Sequence, residues 1–250
     1  MTVCRLQATD TGGILLTKCF SLCENHFDTF VCPMSPSDAP TELPANEVAG
    51  SAALARKRPK QGERRAQILQ VLAAMLEQPG SERITTAALA ARLSVSEAAL
   101  YRHFASKAQM FEALIDFIEG SVFGLVNQIA EREPGDMSRA GRIVAMVLQF
   151  GEKNPGMTRV MVGDALVFEN ERLQQRMNLL FDKLEAALRQ SLRDAALTPD
   201  APDSATPTAD TQVAASVLTA FMMGRLQRFA RSGFRRLPTE ALDAALLRML

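Results

Sequence analysis

Apolar residues recur along this chain at the period of an α-helix. Leu173, Met177, Leu180, Phe181, Leu184, Leu188 and Leu192 form a stripe down one side of a helix of about five turns. A second long stripe, from Ser106 to about Ala130, runs through Phe111, Leu114, Ile115, Ile118, Val122, Leu125 and Ile129. A third lies within 213–229 and carries Val213, Val217, Leu218, Phe221, Met222, Leu226 and Phe229. Ile68, Leu69, Leu72, Met75 and Leu76 make an earlier face. Breakers fall between these stripes. Pro79 interrupts the pattern, Pro134-Gly135 closes a helix, and a break is expected near Gly233–Pro238. Asn154-Pro155 reads as an N-cap followed by proline in the first turn, where the missing N–H costs nothing. No segment alternates with period two between turn residues. The expected fold is all-α, with no internal repeat.

Composition divides the chain further. Residues 1–55 hold all four cysteines and four prolines between Pro33 and Pro44, without periodicity, and are expected to form a disordered N-terminal extension. Residues 56–107 read as one helical module and residues 108–250 as a second, with a flexible Pro/Ala/Asp linker near 198–210. The 28 Lys+Arg balance the 28 Asp+Glu, but unevenly: residues 56–107 carry ten basic against four acidic side chains. A basic module inside a neutral protein points to a polyanionic partner.

Other function classes recede. The apolar runs are short and interrupted, and no basic start or cleavage site marks a signal peptide, so a cytoplasmic protein without an integral membrane segment is expected. Cys19, Cys23, His26 and Cys32 are zinc-compatible ligand types, but their compressed spacing fits no common finger, and the metal-free reading is preferred. A native start at Met34 is an alternative for this region. The only histidines are His26 and His103, and no Gly-rich phosphate loop, HExxH pattern or serine elbow occurs. Neither catalysis nor a cofactor is expected.

The densest signal lies between Arg64 and Lys107. A short helix Thr85–Leu93 with a threonine cap, the turn Ser94-Val95-Ser96 and a second helix Glu97–Phe104 capped by Ser96 make a helix-turn-helix. Small Ala98 and Ala99 let the second helix approach base edges in a major groove about 12 Å wide. Thr85, Thr86, Ser96, Tyr101 and Lys107 supply hydroxyl and ammonium donors for phosphates. Glu97 opens the second helix, and Arg102 and His103 sit where it leaves the groove. These nine residues (Thr85, Thr86, Ser96, Glu97, Ala98, Tyr101, Arg102, His103 and Lys107) are the candidate DNA-binding set.

Thr86-x2-Leu89-Ala90, Val95-Ser96, Leu100-Tyr101-x-His103-Phe104 and Ser106-Lys107 resemble the TetR family of DNA-binding proteins. The resemblance implies a recognition helix in the major groove and a homodimer on a palindromic duplex, paired through its C-terminal helices. Ser94 stands where that family usually has glycine, so the turn is expected to be strained or differently shaped. Arg83–Thr86, Ser96–Phe104, Gly151–Arg159 and Phe168-Glu169-x2-Arg172-Leu173-Gln174 are similar to the branch of the family that acts in nucleoid occlusion. That likeness runs from about residue 64 to 240. It implies a nucleoid-associated protein that, on chromosomal palindromes, contacts the tubulin-like division protein FtsZ and blocks septum formation.

A partner surface follows from the same likeness. Phe117 lies off the 106–130 stripe, about 240° from Phe111 and beside Met110, Ala113, Gly120 and Gly124. Its residue type alone favours packing on a neighbouring helix. The resemblance favours partner contact, extended by Lys153 and Asn154, while Leu125 occupies a position where a basic residue is expected. Arg225, Arg228, Arg231, Arg235 and Arg236 read as a solvated face, with anionic lipid or an acidic partner as the alternative. The rival function is a TetR-type repressor released by a small molecule. It would need a roomy, partly polar cavity in a segment dominated by Leu, Met, Val and Phe.

Overall fold

The computed structural model describes residues 61–78, 84–132, 137–197 and 207–250. The readings of residues 1–60, including the Cys19/Cys23/His26/Cys32 set and the Met34 start, lie outside these, as do those of Pro79, Arg83, Pro134-Gly135 and 198–206. Among the described residues the regular elements are helical: α1 Gln61–Leu76, α2 Thr86–Arg92, α3 Glu97–Tyr101, α4 Lys107–Arg132, α5 Met137–Lys153 and α6 Pro155–Met161. A single 3-10 turn, Asp164–Leu166, precedes α7 Glu171–Ala196, α8 Pro207–Arg231 and α9 Leu242–Leu246. The chain divides into two compact units, residues 1–67 and 68–250. In the described part of the first, Arg64 donates to Gln67 at 2.6 Å.

The second unit has one continuous core from Ile68 to Leu242. Every member of the Leu173–Leu192 stripe is buried, and α7 packs on α8, α4 and α5. Burying seven such side chains stabilises the fold by roughly 10–20 kcal/mol before chain entropy is charged against it. The α4 stripe drifts from its expected course. Past Val122 it continues to Val126 rather than to Leu125 and Ile129, the buried positions Ile118, Val122 and Val126 stepping by four residues. Leu125 and Ile129 are left half-buried, and Met110 is fully buried. Helix α4 is long and apolar enough to cross a membrane by length and composition, yet its apolar side is occupied by this core.

Two boundaries differ from expectation. Residues 207–210 are helical, so the linker expected to reach 210 ends earlier; Pro207 stands in the first turn of α8, where proline is tolerated. The second reading helix stops at Tyr101 rather than Phe104. The N–H groups of His103 and Phe104 both turn back to the Leu100 carbonyl, at 2.9 and 3.1 Å, which tightens the exit.

Helix α6 carries a backbone seam. A Cβ on Gly156 would lie 2.0 Å from the Ala73 carbonyl oxygen, so only glycine permits α1 to come this close. Arg159, one turn on, donates to the carbonyls of Leu76 (3.3 Å) and Gln78 (3.4 Å) at the C-terminal end of α1. Burial pushes the Glu77 carboxyl above the usual range, partly offset by a hydrogen bond from the Gly156 backbone. Asn154 does occupy the N-cap position and Pro155 the first turn, but the Asn154 amide donates back to the Phe150 carbonyl (2.8 Å) and makes no capping bond.

Candidate nucleic-acid interface

The two short helices are built by their caps. The Thr85 hydroxyl accepts from the Ala88 N–H at 3.1 Å, and Ser96 does the same for Ala99 at 3.3 Å, each satisfying an orphan donor of a first turn. Leu89, Ala90, Leu100 and Phe104 are buried and fix the pair against the core. Between them Ser94 sits at φ 54°, the left-handed region expected of the glycine it replaces. The sequence change keeps the turn and accepts the strain. Next, the Ser106 hydroxyl accepts from the Gln109 N–H (3.1 Å) while the Gln109 side-chain Oε1 accepts from the Ala105 N–H (2.6 Å), a cap resembling a capping box that starts α4.

This arrangement leaves Thr85, Ser96, Glu97, Ala98, Tyr101 and Arg102 exposed, with His103 half-buried. Ala98 offers a small, exposed surface on α3. Tyr101 is 46% exposed, a large aromatic kept in solvent at the end of a five-residue helix. Two members are already engaged. Thr86, expected to donate to phosphate, gives its hydroxyl proton to Glu97 at 2.6 Å. Lys107, also expected at phosphate, forms an ion pair with Glu169 and lies 5.7 Å from the Phe111 ring centroid. Lys107 and Glu169 stand 62 residues apart, a separation that leaves no local pattern in the sequence to mark the pair.

The expected partner residues are less uniform. Glu112, Asp116 and Glu119 of α4 face α7, where Arg172 pairs with Glu112 and Arg176 bridges Asp116 (2.8 Å) and Glu119 (2.7 Å). Phe117 points off that ladder and is half-buried, packed against the core by part of its ring rather than standing free. Gly120 and Gly124 beside it are exposed, with open space where a Cβ would be. Lys153 is exposed at the end of α5, and Asn154 is half-buried. Met110, placed beside Phe117 by sequence, belongs to the core.

The pairing surface needs correction as well. Of the C-terminal helices that the resemblance implies for pairing, α7 has its Leu173–Leu192 stripe spent inside one protomer. Within α8, Leu218, Met222, Leu226 and Phe229 are buried too, whereas Val213, Val217 and Met223 remain exposed. Together with Ser216, Ala220 and Gly224 these form a second stripe of small and apolar side chains. Leu179 on α7 is also exposed. Of the arginine cluster, Arg225 turns inward, donating to the carbonyls of Pro238 (3.1 Å) and Glu240 and stacking 4.6 Å from the Phe221 ring centroid. Arg228, Arg231, Arg235 and Arg236 stay exposed.

Comparison with known proteins matches residues 68–114 to the bacterial regulatory proteins of the tetR family and residues 134–248 to the SlmA-like tetracyclin repressor-like C-terminal domain. The nucleoid occlusion factor SlmA of Idiomarina loihiensis is 48% identical over 181 residues, covering 72% of this chain and 90% of that protein. The protein of the same name from Salmonella paratyphi B is 49% identical over 192 residues, covering 76% and 95%. Among solved structures, the transcriptional regulator FadR from Bacillus subtilis in complex with stearoyl-CoA superposes with a TM-score of 0.58 at 11% identity, covering 74% of this chain and 96% of that one. A TetR-family transcriptional regulator from Bordetella parapertussis gives 0.57 at 19% identity, covering 74% and 93%. At such identities these two share the fold.

Proposed function

This chain belongs to the SlmA family of nucleoid occlusion factors, a branch of the TetR-type DNA-binding proteins, and on that basis we propose that it is a cytoplasmic, nucleoid-associated homodimer that occupies chromosomal palindromes and there antagonises FtsZ ring assembly. The observation that carries the proposal is the joint one of near-half identity across the chain and an exposed, doubly capped reading pair. In this reading residues 56–107 recognise DNA and residues 108–250 pair the subunits and present the partner surface. Thr85, Ser96, Tyr101 and Arg102 contact phosphates, Ala98 admits base edges, and His103 lies at the groove exit. Lys107 reaches a phosphate by leaving Glu169. The exposed α8 stripe around Val217 packs on its symmetry mate, and a two-fold dimer calls for a palindromic site.

Phe117, Lys153 and Asn154 supply the FtsZ contact in this reading. Helices α4 and α5 are separated by four residues, a link that suits an antiparallel pair, in which counting back from the link puts Lys153 at the level of about residue 116. The phenyl ring and the ammonium group then border one surface floored by Gly120 and Gly124.

The test uses the full chain with a pool of palindromic duplexes and purified FtsZ. Inhibition of FtsZ assembly is expected only with the selected duplex present. Phe117→Ala is expected to abolish that inhibition while retaining DNA binding. Because the ring is half-buried, the variant loses about 1–2 kcal/mol of stability, between the values for a free and a core phenylalanine. The rival, a small-molecule-responsive repressor, is disfavoured by the apolar fill between α4, α5, α7 and α8, where Val122, Val147, Met177, Leu184 and Met222 are all wholly buried. Wild-type protein indifferent to FtsZ, yet stripped from DNA by a metabolite, would establish the rival.

A further inference from the structure

One carboxylate interrupts the reading surface. Between Ile84 and Lys107 the chain has Arg92, Arg102 and Lys107 but a single acidic residue, Glu97. It is the first residue of α3, exposed, between the cap Ser96 and the small Ala98. A carboxylate there meets the phosphates of any duplex that approaches, and repulsion lowers affinity for all sequences alike. Glu97 is also aimed. The Thr86 hydroxyl donates to Oε2 at 2.6 Å, so the start of α2 holds the carboxylate of α3 in one orientation. With Oε2 so occupied, Oε1 and the remaining lone pairs stay available as acceptors. In the major groove the donors open to an acceptor-only side chain are the exocyclic amines of cytosine and adenine; adenine's stands beside the N7 acceptor, which repels a carboxylate, so the cytosine amine is the better match. Guanine presents only acceptors there, and would be repelled.

We propose that Glu97 is a specificity-determining residue that accepts a hydrogen bond from a cytosine N4 amine in each half-site, with Thr86 as its positioning residue. This inference rests on the DNA-binding reading above and goes beyond it by assigning a base and a sign. Repulsion from phosphates and attraction to one amine act together. The carboxylate weakens every complex in which no cytosine amine stands opposite it, so the gap between specific and non-specific binding widens. Thr86 consequently contributes orientation rather than a phosphate contact.

The experiment selects binding sites from randomised duplexes with the full chain, its Glu97→Ala and Glu97→Gln variants, and Thr86→Val. Wild type should select a palindrome with one symmetric C·G pair that Glu97→Ala no longer distinguishes, at a loss in discrimination of about five- to a hundredfold. Affinity for unrelated duplex should rise in the same variant. Glu97→Gln keeps the shape of the side chain and should move the preference at that position from cytosine towards adenine, which an amide can bind through two hydrogen bonds. Thr86→Val should blur the preference without removing it. If Glu97→Ala and Glu97→Gln select the wild-type site with unchanged discrimination at every position, Glu97 is only a tie between two helices and the proposal is overturned. A wild-type protein that selects no palindrome at all removes the underlying reading and this inference with it. The two failures are thus told apart by the wild-type selection alone.

Discussion

Lys107 and Glu169 form an ion pair that joins the first residue of α4 to the segment leading into α7. The Glu169 side chain is the more enclosed of the two, at 11% exposure against 25% for Lys107. Lys107 is thus the partner more open to solvent, and in the proposed DNA complex a phosphate would compete with Glu169 for it. Val167 and Phe168, directly before Glu169, are 69% and 66% exposed.

Glu169→Gln removes the competitor for Lys107. Affinity for specific and unrelated duplexes should rise together by a few-fold at moderate salt, because a phosphate contact carries no sequence information. Fluorescence anisotropy on both duplexes checks this; a gain confined to the palindrome, or no gain, would count against it.

Ser94→Gly should stabilise the protein. The residue holds φ 54°, and a side chain in the left-handed region costs about 1 kcal/mol, less the extra freedom glycine has when unfolded. A higher urea midpoint with unchanged DNA affinity is the expected result. A lower midpoint would mean that the serine contributes more than its strain costs.

Val217→Glu places a charge in the exposed α8 stripe. If that stripe pairs subunits, sedimentation at micromolar concentration should show wild type at twice the chain mass and the variant at one. The thermal stability of the variant protomer should change little, since Val217 is 50% exposed. Dimers that persist would move the pairing surface elsewhere.

Gly156→Ala is expected to be far more disruptive than an exposed alanine substitution. The added Cβ would fall 2.0 Å from the Ala73 oxygen and 3.0 Å from its carbonyl carbon, and backbone cannot swing aside as a side chain can. A loss of about 1–3 kcal/mol or more is expected in a denaturant melt. Gly120→Ala, with open space around it, is the matched control and should sit close to wild type.

Much of this architecture was legible in the residues. The Leu173–Leu192 stripe appears in full because a helix buried along one side must repeat at 3.6 residues. Thr85 and Ser96 were legible as caps, because a first turn needs an acceptor that few residue types supply. Even the strain at Ser94 follows from chain geometry. What the sequence could not show is which of two apolar faces a helix spends within its own protomer. Leu173 and Val213 are alike as residue types, yet one is wholly buried and the other 64% exposed. Distant pairings were hidden too: nothing local marks Lys107 for Glu169, Arg159 for the end of α1, or Thr86 for the carboxylate of Glu97. Phe117 is an intermediate case, since periodicity places it off the main stripe without revealing how much of its ring the core takes up.

Where a layer of side chains lies between two helices, a change of rotamer lets one helix creep against the other. At Ala73 and Gly156 there is no such layer. A carbonyl rests against an α-carbon, and neither atom has anywhere to go. Mechanically this is a keyed joint instead of a sprung one. The last turn of α1, which precedes the reading pair, is thereby held in register with the start of α6, and two residues back from Gly156 stands Asn154.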